Sequence, residues 1–331
     1  MKGMRGHWYR AALFMCGAAL FSYLIVRIGP GAVVESFRVL SWRLALVAVF
    51  PSVLLKACDT IAWRYSFPCA HVPFRQLGRV LLAGQAVTFM TPTGLGGDAL
   101  KAWMLRDRVG LRESLASIVI LKTTVTAAQG CFLLIGILVS RWTVGADATL
   151  VQIMEVLLLL EAIGVAGFIA VQLWGVMTGG HRILERLGLS GGATLEAAAE
   201  DVDQTLSNFY RHQPGQLGLS FAFNLLAWLI GASEVWLILY FLGQPVSPTT
   251  ALVIEAFGTG IDFATFFVPG RLGFAETGAV ATFLALGLNG ATGLSFSLVR
   301  RVGDLTWVGI GLLLIAGRPM PSAAALSEQE A

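Results

Sequence analysis

Hydrophobic runs of roughly bilayer-crossing length, about 20 residues, recur along this chain with short polar breaks between them. Runs near 10–28, 44–63, 114–140, 150–177, 217–242 and 293–316 read as full transmembrane helices. Two further apolar stretches, 78–108 and 250–287, are longer than one crossing needs and are cut near their middles. The first is interrupted at Phe89-Met-Thr-Pro92-Thr-Gly94-Leu-Gly96-Gly97-Asp98, the second at Phe267-Val-Pro269-Gly270-Arg271-Leu-Gly273-Phe-Ala-Glu276. In both, Leu-Gly follows the proline three and four residues later, and a carboxylate comes soon after. A Gly-Leu pair then recurs 18 residues past each proline, at Gly110-Leu111 and Gly287-Leu288. Interrupted hydrophobic segments at matching places in two halves are the sequence sign of a transport site.

Two segments fall outside the spans. Residues 33–44, with Val34, Phe37 and Trp42 among basic residues, fit the membrane interface. Within an insert at 179–215, Leu195, Ala199, Val202, Leu206 and Phe209 repeat at helical spacing. The opposite face carries Glu196, Glu200, Asp201 and Asp203, which suits a packing helix rather than capture of anionic lipid. Residues 318–331 read as a disordered cytoplasmic tail after a membrane domain of 1–317.

Composition sharpens this picture. Residues are 56% hydrophobic and only 13% charged, against about 25% charged in soluble domains. The net charge of +3 includes no dense basic block, which excludes nucleic acid as a partner. Cys16, Cys58, Cys69 and Cys131 are scattered without metal-ligand spacing, so neither a metal nor a cofactor is expected. The basic start, Met1 to Arg10, leads into an apolar run without a convincing cleavage site, and reads as a retained first span.

Charge also orients the chain. Lys2, Arg5 and Arg10 put the N-terminus in the cytoplasm. Both flanks of the first broken stretch are basic, with Arg64, Arg75 and Arg79 before it and Arg106, Arg108 and Arg112 after it. The stretch therefore enters and leaves by one face, as a re-entrant hairpin does. The second broken stretch has uncharged flanks, 243–250 and 285–294, and counts to the outside. The expectation is an all-α polytopic integral membrane protein. It has six full spans plus two re-entrant helical hairpins in an inverted-topology repeat, with both termini cytoplasmic in a bacterial-type inner membrane. Arg38 and Arg43 lie in the predicted external loop and run against this count.

The hairpin tips carry the candidate chemistry. Glycine amides and a half-helix N-terminus favour an anion, so Pro92, Gly96, Gly97, Asp98 and Lys101 are set against Pro269, Gly270, Arg271, Gly273 and Glu276. Arg271 is placed to grip a phosphate bidentately, or else to cap a carbonyl or pair with Asp262 or Glu276. Asp98 and Glu276 open the second half-helices, where capping and dipole complementation account for them. Contact with a cationic headgroup, or proton coupling, is the functional alternative. Ionisable residues within spans are functional candidates by default. Lys122 lies 30 residues past Pro92 and Arg300 31 past Pro269, which suggests repeat-related basic walls of one cavity. Asp304 lies one turn from Arg300 and Arg301, allowing an internal pair. Lys56 and Asp59 read as a neutralising pair, and Glu155, Glu161, Glu234 and Glu255 as pairing or interfacial residues.

Gly96-Gly97-Asp98-Ala-Leu-Lys101 and Pro269-Gly-Arg-Leu-Gly273-Phe-Ala-Glu276 resemble the signatures of the lysylphosphatidylglycerol synthase transmembrane family, the flippase-like membrane domain. Its first-half pattern is P-x-x-x-G-G-D-x-x-R/K and its second-half pattern P-G-G-L-G-x-x-E. The resemblance covers roughly 40–317, and the size is similar to that of hopanoid-associated members. Arg271 departs from the pattern, standing where the family commonly has glycine. The soluble aminoacyl-transferring domain of bifunctional members has no counterpart here. The resemblance therefore implies lipid translocation or handling, not lipid lysylation.

No HExxH, GxSxG or paired histidines occur in the spans, so a transporter is expected rather than a catalyst. The function expected is translocation of an amphiphilic, anionic lipid whose headgroup binds between the hairpins. A non-transporting lipid-handling or lipid-modifying protein of phospholipid or hopanoid synthesis is the alternative. The partner is a membrane lipid, and a homodimer or a lipid-synthesis partner is compatible with either.

Overall fold

The computed structural model describes residues 43–69, 71–91, 95–143, 145, 148–173, 193–265, 268, 271 and 273–316. The predicted span 10–28, the tail 318–331, and Pro92, Pro269 and Gly270 at the tips lie outside the described residues. Among those described, all regular structure is α-helical. In chain order the helices are α1 (Arg43–Arg64), α2 (Phe74–Met90), α3 (Leu95–Thr143), α4 (Thr149–Leu173), α5 (Ala193–His212), α6 (Pro214–Phe241), α7 (Pro248–Ala264), α8 (Phe274–Ala285) and α9 (Gly290–Ala316).

Two of these differ from the expected boundaries. α3 runs on through the place where the sequence suggested a loop, because only Gly110 leaves helical geometry (φ 78°, ψ 156°). Positive φ is open to glycine without cost, so the helix is two arms about one hinge. α5 and α6 are nearly continuous, and Gln213 between them donates from Nε2 to Pro68 O at 2.8 Å.

Three stretches among the described residues are long and apolar enough to cross a membrane: Gly96–Thr143, Thr149–Ala170 and Pro214–Phe241. α4 turns Val156, Leu159, Leu160 and Ile163 outward, as a lipid-facing helix must. α9 instead carries Arg300, Arg301 and Asp304 within its length.

The two broken stretches fold back on themselves. Arg108, at the end of the first arm of α3, donates from Nη1 to Gln76 Oε1 near the start of α2 at 2.7 Å. The chain thus returns to the end it came from. At the second break, Val246 before α7 and Leu288 after α8 pack on one cluster with Val235, Ile238 and Leu239. The bases of these hairpins lie at opposite ends of α6. Ser66 and Ser220 share a hydrogen bond at 3.1 Å near one end, while Trp236 donates to Val246 O at 3.1 Å near the other. α6 has 28 residues, which at 1.5 Å per residue separates its ends by about 40 Å.

Packing joins the halves in matched ways. α1 lies along α6, α2 packs on α9, and α7 packs on α3. Small residues permit the last two contacts, as membrane helix packing requires. A Cβ on Gly136 would lie 2.2 Å from Ala256 Cβ of α7, and one on Gly311 would lie 2.4 Å from Leu82 O of α2. The amphipathic α5 buries Val202, Leu206 and Phe209 against Ala116 and Ile120 of α3. Arg112 holds its polar side through Thr205 (2.8 Å) and Asp201 (3.4 Å).

Candidate functional site

The first tip begins where α2 stops. Thr91 takes an extended conformation (φ −105°, ψ 139°), and its hydroxyl donates to Val87 O at 2.8 Å. α3 starts at Leu95 and presses close to α2. A Cβ on Gly97 would stand 2.2 Å from Gly84 O and one on Gly96 2.9 Å from Thr91 Cγ2, so close approach accounts for both glycines. Asp98, in the first turn, bridges two lysines: Oδ1 meets Lys101 Nζ at 3.0 Å and Oδ2 meets Lys122 Nζ at 3.0 Å. Lys101 is buried, with its ammonium 5.8 Å from the centre of the Trp63 ring.

The second tip is built differently. Gly273 (φ 80°) opens α8, and its N–H donates to Glu276 Oε2 at 2.7 Å. Glu276 Oε1 accepts from Arg301 Nη2 at 2.6 Å and Nε at 3.2 Å. This carboxylate therefore caps its own helix and neutralises an arginine on α9, as expected of a charge buried in apolar surroundings. Arg271 pairs with Asp262 on α7. Its backbone is left-handed at φ 50°, a conformation that costs an L-residue about 1–2 kcal/mol and glycine nothing. The backbone at position 271 is thus one that favours glycine.

Both tips face one cavity of about 540 Å³. Thr88, Phe89 and Thr91 line it from the first and Val268 and Arg271 from the second. Lys56 and Asp59 of α1, Lys122 of α3, Glu234 of α6, Asp262 of α7 and Arg300 and Asp304 of α9 add charge to its walls. A smaller pocket of about 130 Å³ adjoins it, sharing Asp262, Arg271, Arg300 and Asp304 and reaching Arg301. Arg300 is clamped bidentately by the buried Glu255, at 2.6 and 3.1 Å. Gly231 of α6 makes room for that carboxylate, since a Cβ there would lie 2.6 Å from Glu255 Oε1.

Exposure sorts the candidate cations into two groups. The side chains of Lys122, Arg271 and Arg300 are 43%, 33% and 34% exposed, while those of Lys101 and Arg301 are 7% and 14% exposed. The first three line the main cavity; Lys101, Asp98 and Glu276 stand behind it. Three expectations change. Lys122 matches Arg301 rather than Arg300, because each holds the carboxylate that opens its half's second short helix. Asp304 is exposed and makes no internal pair, its neighbours being committed to Glu255 and Glu276. Lys56 and Asp59 form no ion pair; Asp59 instead accepts from Gln85 Nε2 at 3.4 Å.

Several cavity residues escaped the sequence reading. Gln85, Asn224, Trp228 and Trp307 sit on α2, α6 and α9 with no local motif to mark them. Trp307 leaves its buried indole N–H without a partner, a donor open to a ligand acceptor. Among the described residues no cluster of His, Cys, Asp and Glu suits a metal ion.

Long apolar helices around a charged interior cavity define a helical membrane protein with a polar chamber. The chain belongs to the family described as the lysylphosphatidylglycerol synthase TM region, whose model matches residues 8–312. The match takes in the predicted first span, beyond the reach of the two motifs. A UPF0104 membrane protein of Methanothermobacter thermautotrophicus is 22% identical over 318 residues, covering 88% of this chain and 90% of that protein. No solved structure matches the chain.

Proposed function

We propose that this protein is a lipid translocase that receives a phosphate-bearing headgroup in the cavity between its two hairpin tips. The observation that carries the reading is the cavity itself. Charged walls inside a membrane protein are costly, and here five helices and the second tip supply the charge. Lys122, Arg271 and Arg300 are the phosphate ligands of this reading, since each keeps part of its cationic surface open to the chamber. All three are already paired, so a phosphate binds by exchange with a protein carboxylate. The Trp307 N–H offers one further donor.

The hairpins are re-entrant in this proposal, set among six full spans. The exchange-matched packing supports an inverted repeat: α2 on α9 answers α7 on α3. The cluster of Arg75, Arg79, Arg106, Arg108 and Arg112 at one end supports a cytoplasmic side there. Both termini then lie in the cytoplasm of a bacterial-type inner membrane. Movement of lipid is a rocking of the halves about the chamber, with the acyl chains left in the bilayer.

Reconstitution tests this. Vesicles carrying fluorescent phospholipid and the purified protein are exposed to a membrane-impermeant quencher. The expected result is loss of the protected signal well above the protein-free rate, slowed about tenfold to a hundredfold by Arg271→Ala. No acceleration with anionic, zwitterionic or aminoacylated headgroups would overturn the proposal.

A further inference from the structure

Most buried carboxylates of this membrane interior have a cation or a donor. Asp98 holds two lysines, Glu255 holds Arg300 and Glu276 holds Arg301. Glu234 differs. It lies on the cavity wall, is only 7% exposed, and makes no hydrogen bond or ion pair. An ionised carboxylate so placed is far costlier than a neutral acid, and in a membrane span such a residue needs an occupant or a role.

We propose that Glu234 is the proton-binding group of the chamber, coupling proton movement to that of the headgroup phosphate. This inference rests on the translocase reading and supplies its energy source. The charges facing Glu234 come from three helices: Lys56 of α1, Glu255 of α7, and Arg300 and Asp304 of α9. α3 brings Lys122 to the same cavity, but Asp98 engages it. Two cations thus favour the carboxylate and two acids oppose it. A phosphate that engages Arg300 cancels the larger part of the cationic side. Glu234 then takes a proton from cavity water, its carboxylate becoming a carboxylic acid, and returns it when the phosphate departs. By linkage, protonation strengthens phosphate binding to the same degree. The fully occupied chamber carries lipid and proton together, so a pH gradient drives the lipid.

The test has a protein-only arm and a transport arm. Infrared difference spectra of the purified full chain are recorded on adding dihexanoyl phosphatidylglycerol. A protonated-carboxyl band should appear, vanish in Glu234→Gln, and persist in Asp304→Asn. In vesicles of phosphatidylcholine and phosphatidylglycerol under an imposed pH difference, the steady-state distribution of labelled phosphatidylglycerol should shift about tenfold per pH unit. Glu234→Gln should abolish that response, and Glu234→Asp should restore it. A distribution indifferent to the gradient, with no Glu234-dependent band, overturns the proposal. If the wild type moves no lipid at all, the translocase reading fails, and the infrared band alone decides whether Glu234 binds the proton.

Discussion

The two hairpin tips use one plan for different ends. Each sets a carboxylate in the first turn of a short helix and answers it with a cation from the following long helix. At the first tip the answering Lys122 is 43% exposed and shares Asp98 with Lys101. At the second, Arg301 and Glu276 are sealed at 14% and 1% exposed, and the carboxylate also caps its own helix. A sealed pair holds structure, whereas a half-open pair can exchange partners. At the second tip the half-open cation is Arg271, held in a left-handed backbone beside Asp262. The carboxylate–cation pair is thus sealed at one tip and half open at the other.

The largest test of this contrast is Arg301→Ala. Leaving Glu276 buried without its arginine should cost about 3–5 kcal/mol, read as a fall in thermal unfolding temperature in detergent. A cost no larger than that of Lys122→Ala would erase the distinction between the tips. Next comes Arg271→Gly, which separates function from strain. Lipid movement should slow by about tenfold to a hundredfold, as expected for loss of a charged hydrogen bond. Stability should hold or rise, because relief of about 1–2 kcal/mol of backbone strain offsets the lost Asp262 pair. A marked loss of stability with unchanged transport would reverse that assignment.

The cross-half contacts give a third comparison. Gly136→Ala and Gly311→Ala each force a methyl into a neighbouring helix, so each should destabilise by about 1–3 kcal/mol. Closely similar losses support repeat-related seams, and a loss at one site alone breaks the equivalence. The smallest effect belongs to Lys122→Ala, where Asp98 keeps Lys101. Unfolding should change by less than about 1 kcal/mol, while the rate of lipid movement falls.

Helix positions along the chain were legible in the sequence; rotation about each helix was not. Apolar run lengths located α1, α6 and α9 closely, and the Pro/Gly signals marked both breaks, because proline and glycine act locally. The pairing of Lys122 with Asp98 instead of its supposed counterpart's partner depends on which way α3 and α9 turn. A shift of one residue rotates a side chain by about 100°, which moved the repeat match from Arg300 to Arg301. Glu255 and Arg300 are 45 residues apart, and no spacing rule links them. Asp262 was one of two carboxylates named as alternative partners for Arg271, and the structure selects it over Glu276. Glu234, Gln85 and Asn224 look like isolated polar residues within apolar runs until three helices bring them to one wall.

The prior engagement of the Lys122, Arg271 and Arg300 cations by protein carboxylates bears on leakage. A chloride or free phosphate ion entering the chamber must displace a carboxylate that already fits, and brings nothing else to offset its lost hydration. In the proposed translocase the lipid stays anchored by its chains, so its headgroup meets these same pairs at high local concentration and competes repeatedly. On that proposal the chamber resists becoming an ion channel while remaining open to tethered anions.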